Sequence, residues 1–118
     1  MTSVLNVDTI ADKAGTGPVA LTKQSAAKAW LNANGTGTAQ IDDSFQTSSI
    51  TDNSTGDYTF TWTSAFGNAQ YAPVGDANYS TDVYALTTTT YQFLTLTYAT
   101  GGAVDASNIV ISAHGDLA

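Results

Sequence analysis

Residues 58–63 read Tyr-Thr-Phe-Thr-Trp-Thr, a strict alternation of large and small side chains. In an extended strand successive side chains leave on opposite faces, so Tyr58, Phe60 and Trp62 share one side and Thr59, Thr61 and Thr63 the other. At the helical period the same residues would scatter around the axis and gather no apolar stripe. The segment is therefore a strand in a sheet with one buried and one wet face.

The stretches around it carry the same signal. Phe45 to Thr51 reads as the preceding strand, joined to Tyr58–Ser64 by the loop DNSTGD, Asp52 to Asp57, whose Asp, Asn and Gly suit turn conformations. Upstream, Lys28 to Asn34 reads as a strand in which Trp30, Asn32 and Asn34 alternate with Ala29, Leu31 and Ala33, ended by Asn34-Gly35. Downstream, Ala69 to Val74 is short and contains Pro73, which suits an edge position. GDANYSTD, Gly75 to Asp82, reads as a loop. Val83–Thr87 and Thr89–Thr100 follow; the apolar side of the second changes parity between Phe93 and Leu94, which predicts a bulge or burial on both faces. GGAVDAS turns the chain, and Asn108 to Ala113 closes it.

Composition agrees. All ten acidic residues are aspartates and all three basic ones are lysines, so the Glu and Arg that usually cover helical surfaces are absent, while threonine occurs twenty times. A chain of 118 residues fits one ordinary domain. The expected fold is all-β: a small β-sandwich of about seven strands, jelly-roll-like or immunoglobulin-like in order, spanning residues 23–118. Residues 1–22 read as an extended N-terminal arm that includes a short strand, VALT, beyond Gly15, Gly17 and Pro18. Its apolar residues Val4, Leu5, Val7 and Ile10 are too few for a core, and an extended arm leaves backbone groups unpaired, so it is expected to lie on another surface.

The same inventory narrows function. A net charge of −7 with three cations offers no basic stripe for nucleic acid or for an anionic membrane. No stretch approaches the roughly 18 apolar residues of a membrane span. The N-terminus lacks the cationic and apolar regions of a signal peptide, so export by that route is not expected. Without cysteine there is neither a disulfide framework nor a thiolate metal site.

Catalytic and nucleotide-binding motifs are missing from the sequence. Asp42 and Asp43 are adjacent, and neighbours on a strand point apart, whereas a glycosidase needs two carboxyls converging across about 5 to 9.5 Å. His114 is the sole imidazole and reads as a solvated terminal residue, with a metal shared by three symmetry copies as the alternative. Asp52 and Asp57 read as turn stabilisers, and Asp76, Asp82 and Asp105 follow no EF-hand spacing. No cofactor is expected, and the chain is read as a non-enzyme. Tyr71, Asp76, Asn78 and Tyr79, on or beside GDANYSTD, form a candidate surface-recognition loop, since aromatic rings with nearby polar groups stack on sugars, although tyrosines in the core or at a subunit interface are the favoured reading of Tyr71 and Tyr79.

The phrases QSAAKAW (Gln24 to Trp30), NGTG (Asn34 to Gly37) and SITDNSTGDYTF sit within two longer runs, LNVDTIADKAGTGPVALTKQSAAKAWLNANGTG and DSFQTSSITDNSTGDYTFTW. Over roughly residues 5 to 64 they resemble a family of small virion proteins of tailed, mostly marine, bacteriophages, described as tail-fibre-like or virion structural proteins. The resemblance implies a self-associating appendage, commonly a homotrimer, whose N-terminal segment docks to other virion proteins while the sandwich faces outward. It also implies a particle assembled in the bacterial cytoplasm. A carbohydrate-binding module that recognises host surface glycans is the alternative expectation.

Overall fold

The computed structural model describes residues 27–118 and, singly, Ser3, Asn6 and Ala14. The predicted arm, with Val4, Leu5, Val7, Ile10 and the VALT strand, otherwise lies outside the described residues.

Eight strands follow one another, with no helix among the described residues: β1 (Ala29–Asn34), β2 (Gln40–Phe45), β3 (Thr47–Ser54), β4 (Asp57–Trp62), β5 (Ala72–Ala77), β6 (Ser80–Leu86), β7 (Thr90–Leu96) and β8 (Ile109–His114). They form two four-stranded sheets, ordered β2-β1-β8-β5 and β3-β4-β7-β6, with every pairing antiparallel. The all-β sandwich is thus the fold. The strand that the sequence did not announce is β2, QIDDSF, which has no apolar alternation and is held by its ladder to β1. The order is not that of an immunoglobulin constant domain, whose third strand pairs with the sixth: here β3 pairs with β4, and β4 with β7.

The two sheets are joined at both edges. β2 passes into β3 through Gln46 alone, which takes a left-handed conformation at φ 59°. At the opposite edge, β5 passes into β6 through Asn78 and Tyr79.

Several predicted boundaries shift for local reasons. The β3–β4 ladder continues to the pair Ser54↔Asp57, so the loop expected over Asp52 to Asp57 shrinks to Thr55 and Gly56. Gly56 supplies the positive φ, 68°, that such a tight turn requires. Asn53 is accommodated by a bulge, and its amide donates to Asp57 Oδ1 at 3.0 Å and to Thr59 Oγ1 at 2.8 Å. The strand expected over Ala69 to Val74 lies instead over Ala72–Ala77, and most of the expected loop Gly75 to Asp82 belongs to β5 and β6. Both are edge strands with exposed positions, where Gly, Asp and Ser are tolerated. The parity break expected between Phe93 and Leu94 does not occur: Tyr91, Phe93 and Thr95 stay on the buried side throughout β7. The irregularity sits on its partner, where β6 accommodates Tyr84 between the pairs Val83↔Phe93 and Ala85↔Gln92.

The core follows from alternation in the four central strands. Ala29, Leu31 and Ala33 of β1, Tyr58, Phe60 and Trp62 of β4, Tyr91, Phe93 and Thr95 of β7, and Ile109, Ile111 and Ala113 of β8 are all buried. The connection between β4 and β5 adds Phe66 and Tyr71, whose rings stack at 4.1 Å. Polar atoms within this core are mostly paired, as burial demands. The Trp62 indole donates to Tyr71 Oη at 3.0 Å, and the Tyr71 hydroxyl donates to the Thr90 carbonyl at 2.8 Å. The Tyr58 hydroxyl stands 3.0 Å from Asp105 Oδ1, which also accepts the Gly56 N–H at 2.8 Å and so pins the β7–β8 connection to the β3–β4 turn.

Burial, reinforced by the hydrogen bond to Asp105 and its charge, pushes the Tyr58 phenol from 10.0 up to about 12. Burial raises Tyr71 and Tyr91 as well. In each case the folded state holds its proton above the pH at which the unfolded chain releases it. The stability Tyr58 contributes is therefore complete below pH 10 and declines as pH rises toward about 12, and the raised Tyr71 and Tyr91 phenols act in the same direction. Thermal melts across that range are expected to show a falling midpoint; a midpoint that stays level would contradict it.

Candidate functional site

Antiparallel register sets side chains in rows across the outer face of the β2-β1-β8-β5 sheet. One row runs Phe45, Trp30, Ser112, Val74 and the next runs Asp43, Asn32, Val110, Asp76. Trp30 is 40% exposed, Phe45 52%, Val74 64% and Val110 41%, so four large apolar side chains of one face meet water. A shallow groove of about 410 Å³ runs between Trp30, Val74 and Val110, with Asn32, Asp76 and Ser112 also on its walls. Charge is uneven around it: Asp43 and Asp76 end the second row, while Lys28 and His114 stand at the opposite end of β1 and β8.

The outer face of the other sheet is different. Its rows read Ser49, Thr61, Thr90, then Thr51, Thr59, Gln92, Ala85, then Ser54, Asp57, Leu94, Asp82. Side chains there bond one another, the Gln92 amide donating to Asp57 at 2.8 and 3.1 Å. The ladder rows of this face are mostly Ser, Thr, Gln and Asp, with Leu94 and Ala85 among them and Tyr84 exposed at the β6 bulge, whereas the rows of the first face set Trp30, Phe45, Val74 and Val110 among polar residues.

The predicted recognition residues do not gather into one surface. Tyr71 is buried, with its ring against Phe66 and its hydroxyl bonded. Tyr79 is half-buried and packs against the core from the β5–β6 turn. Asn78 is exposed, and its backbone N–H and side-chain oxygen bond Asn108 across the turn, each at 3.3 Å. Asp76 alone joins the apolar face described above, where its Oδ1 accepts the Ala77 N–H at 2.8 Å. The four arm residues Val4, Leu5, Val7 and Ile10 fall outside the described residues.

The other candidates have local partners. Asp42 is the residue accommodated by the bulge between the pairs Ala33↔Ile41 and Asn32↔Asp43, and it accepts the Gln40 amide at 2.8 Å. Asp43 accepts the Ser44 N–H at 2.8 Å. Asp105 is occupied by Tyr58 and Gly56, and Asp57 by Asn53 and Gln92. Among the described residues, no three His, Cys, Asp or Glu side chains come together in a way that would hold a metal ion.

Comparison of the chain with family models, curated proteins and solved structures returns no match.

Proposed function

We propose that this chain is a non-enzymatic structural protein of a bacteriophage virion: a self-associating appendage, tail-fibre-like or decorating the head. In this reading residues 1–22 dock it to other virion proteins, three copies assemble, and the particle forms in the cytoplasm of a bacterial host. The observation that carries the reading is the contrast between the two outer faces. A small sandwich whose inner face already consumes Tyr58, Phe60 and Tyr91 still presents Trp30, Phe45, Val74 and Val110 to solvent. A second copy is the natural occupant, because each copy offers both the acidic Asp43 and Asp76 and the basic Lys28 that would meet them. The phage-like phrases in residues 5 to 64 supply the biological setting.

The test is oligomeric state. The full chain is expected to sediment at about three times the chain mass, and Trp30→Asp, placing a charge at the centre of the apolar row, to sediment as a monomer with unchanged circular dichroism. Central aromatic residues typically cost 2 kcal/mol or more of association free energy when lost. A wild-type monomer at all concentrations would end the proposal. Docking is tested separately: removing residues 1–22 should abolish particle binding while leaving the sandwich folded.

A second reading draws on the adjacent pair Trp30 and Phe45, which offers an aromatic platform for a host surface glycan. Quenching or a shift of tryptophan fluorescence on adding host glycans, lost in Trp30→Ala, would favour it.

A further inference from the structure

The face that exposes Trp30, Phe45, Val74 and Val110 has two unlike ends. Lys28 and His114 stand at the end where the chain enters β1, and Asp43 and Asp76 end the row of Asn32 and Val110 farther along. Among the described residues these two carboxylates bond only to the backbone N–H that follows each, at Ser44 and at Ala77. Residues 27–118 hold eight aspartates against the single Lys28, whereas residues 13–26 hold Lys13 and Lys23 and no acid. The cations that this face lacks belong to the stretch of chain just before it.

Within that stretch, residues 18–23 read PVALTK. In extended form Val19, Leu21 and Lys23 leave on one side, two apolar side chains followed by an ammonium. The groove offers the same series along β1: first the row of Trp30 and Val74, then Val110 between Asp43 and Asp76. A segment running the way β1 runs sets Leu21 over the Trp30 row and Lys23 over the carboxylates. The same copy is poorly placed to supply it. A tight reversal at Ala26 and Ala27 would set Lys23 over Trp30 and Leu21 over the carboxylates. The productive direction would instead leave four residues, Gln24 to Ala27, to return about 13 Å to the start of β1, where connections between parallel strands take a dozen or more. A neighbouring copy is under neither constraint.

We infer that residues 18–23 of one copy lie across the apolar face of the next, with Val19 and Leu21 in the groove between Trp30, Val74 and Val110 and with Lys23 against Asp43 and Asp76. This rests on the self-association proposed above and gives it a direction. Donor and acceptor surfaces differ, so the contact is head-to-tail, the kind that closes a ring of three, whereas the same face meeting itself closes at two. A connection as short as Gln24 to Ala27 favours exchange between copies over folding back. The arm is thereby divided in two: Val4, Leu5, Val7 and Ile10 serve other virion proteins, and residues 18–23 clasp the neighbouring copy.

The chain has no cysteine, so an introduced pair reports on proximity without competition. The full chain carrying both Leu21→Cys and Ser112→Cys, the latter in the Trp30 row, is expected on oxidation to give a covalent ladder ending at the trimer on non-reducing gels. Leu21→Cys with Ser49→Cys, on the outer face of the other sheet, should stay uncross-linked. In sedimentation Leu21→Asp should become a monomer with unchanged circular dichroism, Leu5→Asp should keep the wild-type mass, and Lys23→Asp should weaken association about fivefold at low salt. A cross-link confined within single chains, or none beyond that of the Ser49 control, overturns the inference. So does a Leu21→Asp protein that keeps the wild-type mass while Trp30→Asp loses it; self-association through the face then stands and only the exchange fails. A wild-type monomer removes both.

Discussion

Gly56→Ala is expected to destabilise the fold by about 3 kcal/mol, combining the cost of a left-handed non-glycine residue with that of overpacking. At φ 68° the residue sits where an L side chain is disfavoured. A methyl group there would also come within 2.5 Å of the Thr95 carbonyl and 2.8 Å of the Val104 backbone. Those atoms cannot easily yield. The Thr95 N–H donates to the Gly56 carbonyl at 2.8 Å, the Val104 N–H donates to the Thr95 carbonyl at 3.1 Å, and Asp105 accepts the Gly56 N–H. Gly37 provides the internal control, with nearly the same φ, 65°, and nothing within 4 Å of an added methyl. Gly37→Ala should lose only about 1 kcal/mol. Urea melts of the two variants read the difference as a shift in midpoint at constant slope. Equal losses would mean that the contact with Thr95 and Val104 is soft.

Phe60→Ala is expected to cost about 3–5 kcal/mol, a large part of the 5–15 kcal/mol that holds a domain of this size together. Phe60 is fully buried at the centre of β4, between Ile50 of β3 and Tyr91 of β7. Both neighbouring strands are anchored by its ladder, so the cavity opens in the middle of the sheet. One position along, Thr61 faces outward between Ser49 and Thr90, and Thr61→Ala should change stability by no more than about 0.5 kcal/mol. Thermal melts of the pair test the alternation that defines the strand. Comparable losses at the two positions would mean that the face assignment is mistaken.

That alternation was legible because Tyr58 to Thr63 contains no competing signal, and the same holds for Leu31 among alanines and asparagines in β1. β2 was not, since bulged aspartates on an edge carry no apolar rhythm and the strand exists through its pairing with β1. The polar run Gly75 to Asp82 looked like a loop because an edge strand need bury little, so its composition approaches that of a turn. The tyrosines were the hardest to place. Tyr71 lies in an irregular connection where no period applies, and only the tertiary fold carries it to Trp62 and Phe66. The apolar outer face did leave a trace: Trp30 falls in phase with Asn32 and Asn34, opposite Leu31, and so sits on the polar, solvent-facing side of its strand. Its companions Phe45, Val74 and Val110 come from three other strands, and only the register unites them.

The passages at Gln46 and at Asn78–Tyr79 tie the layers together along both long edges, each with at most two residues. Sliding one layer over the other by a single step would have to unwind both corners at once. The body is therefore a box closed on two sides, and shear between its layers is expected to be resisted at both corners together.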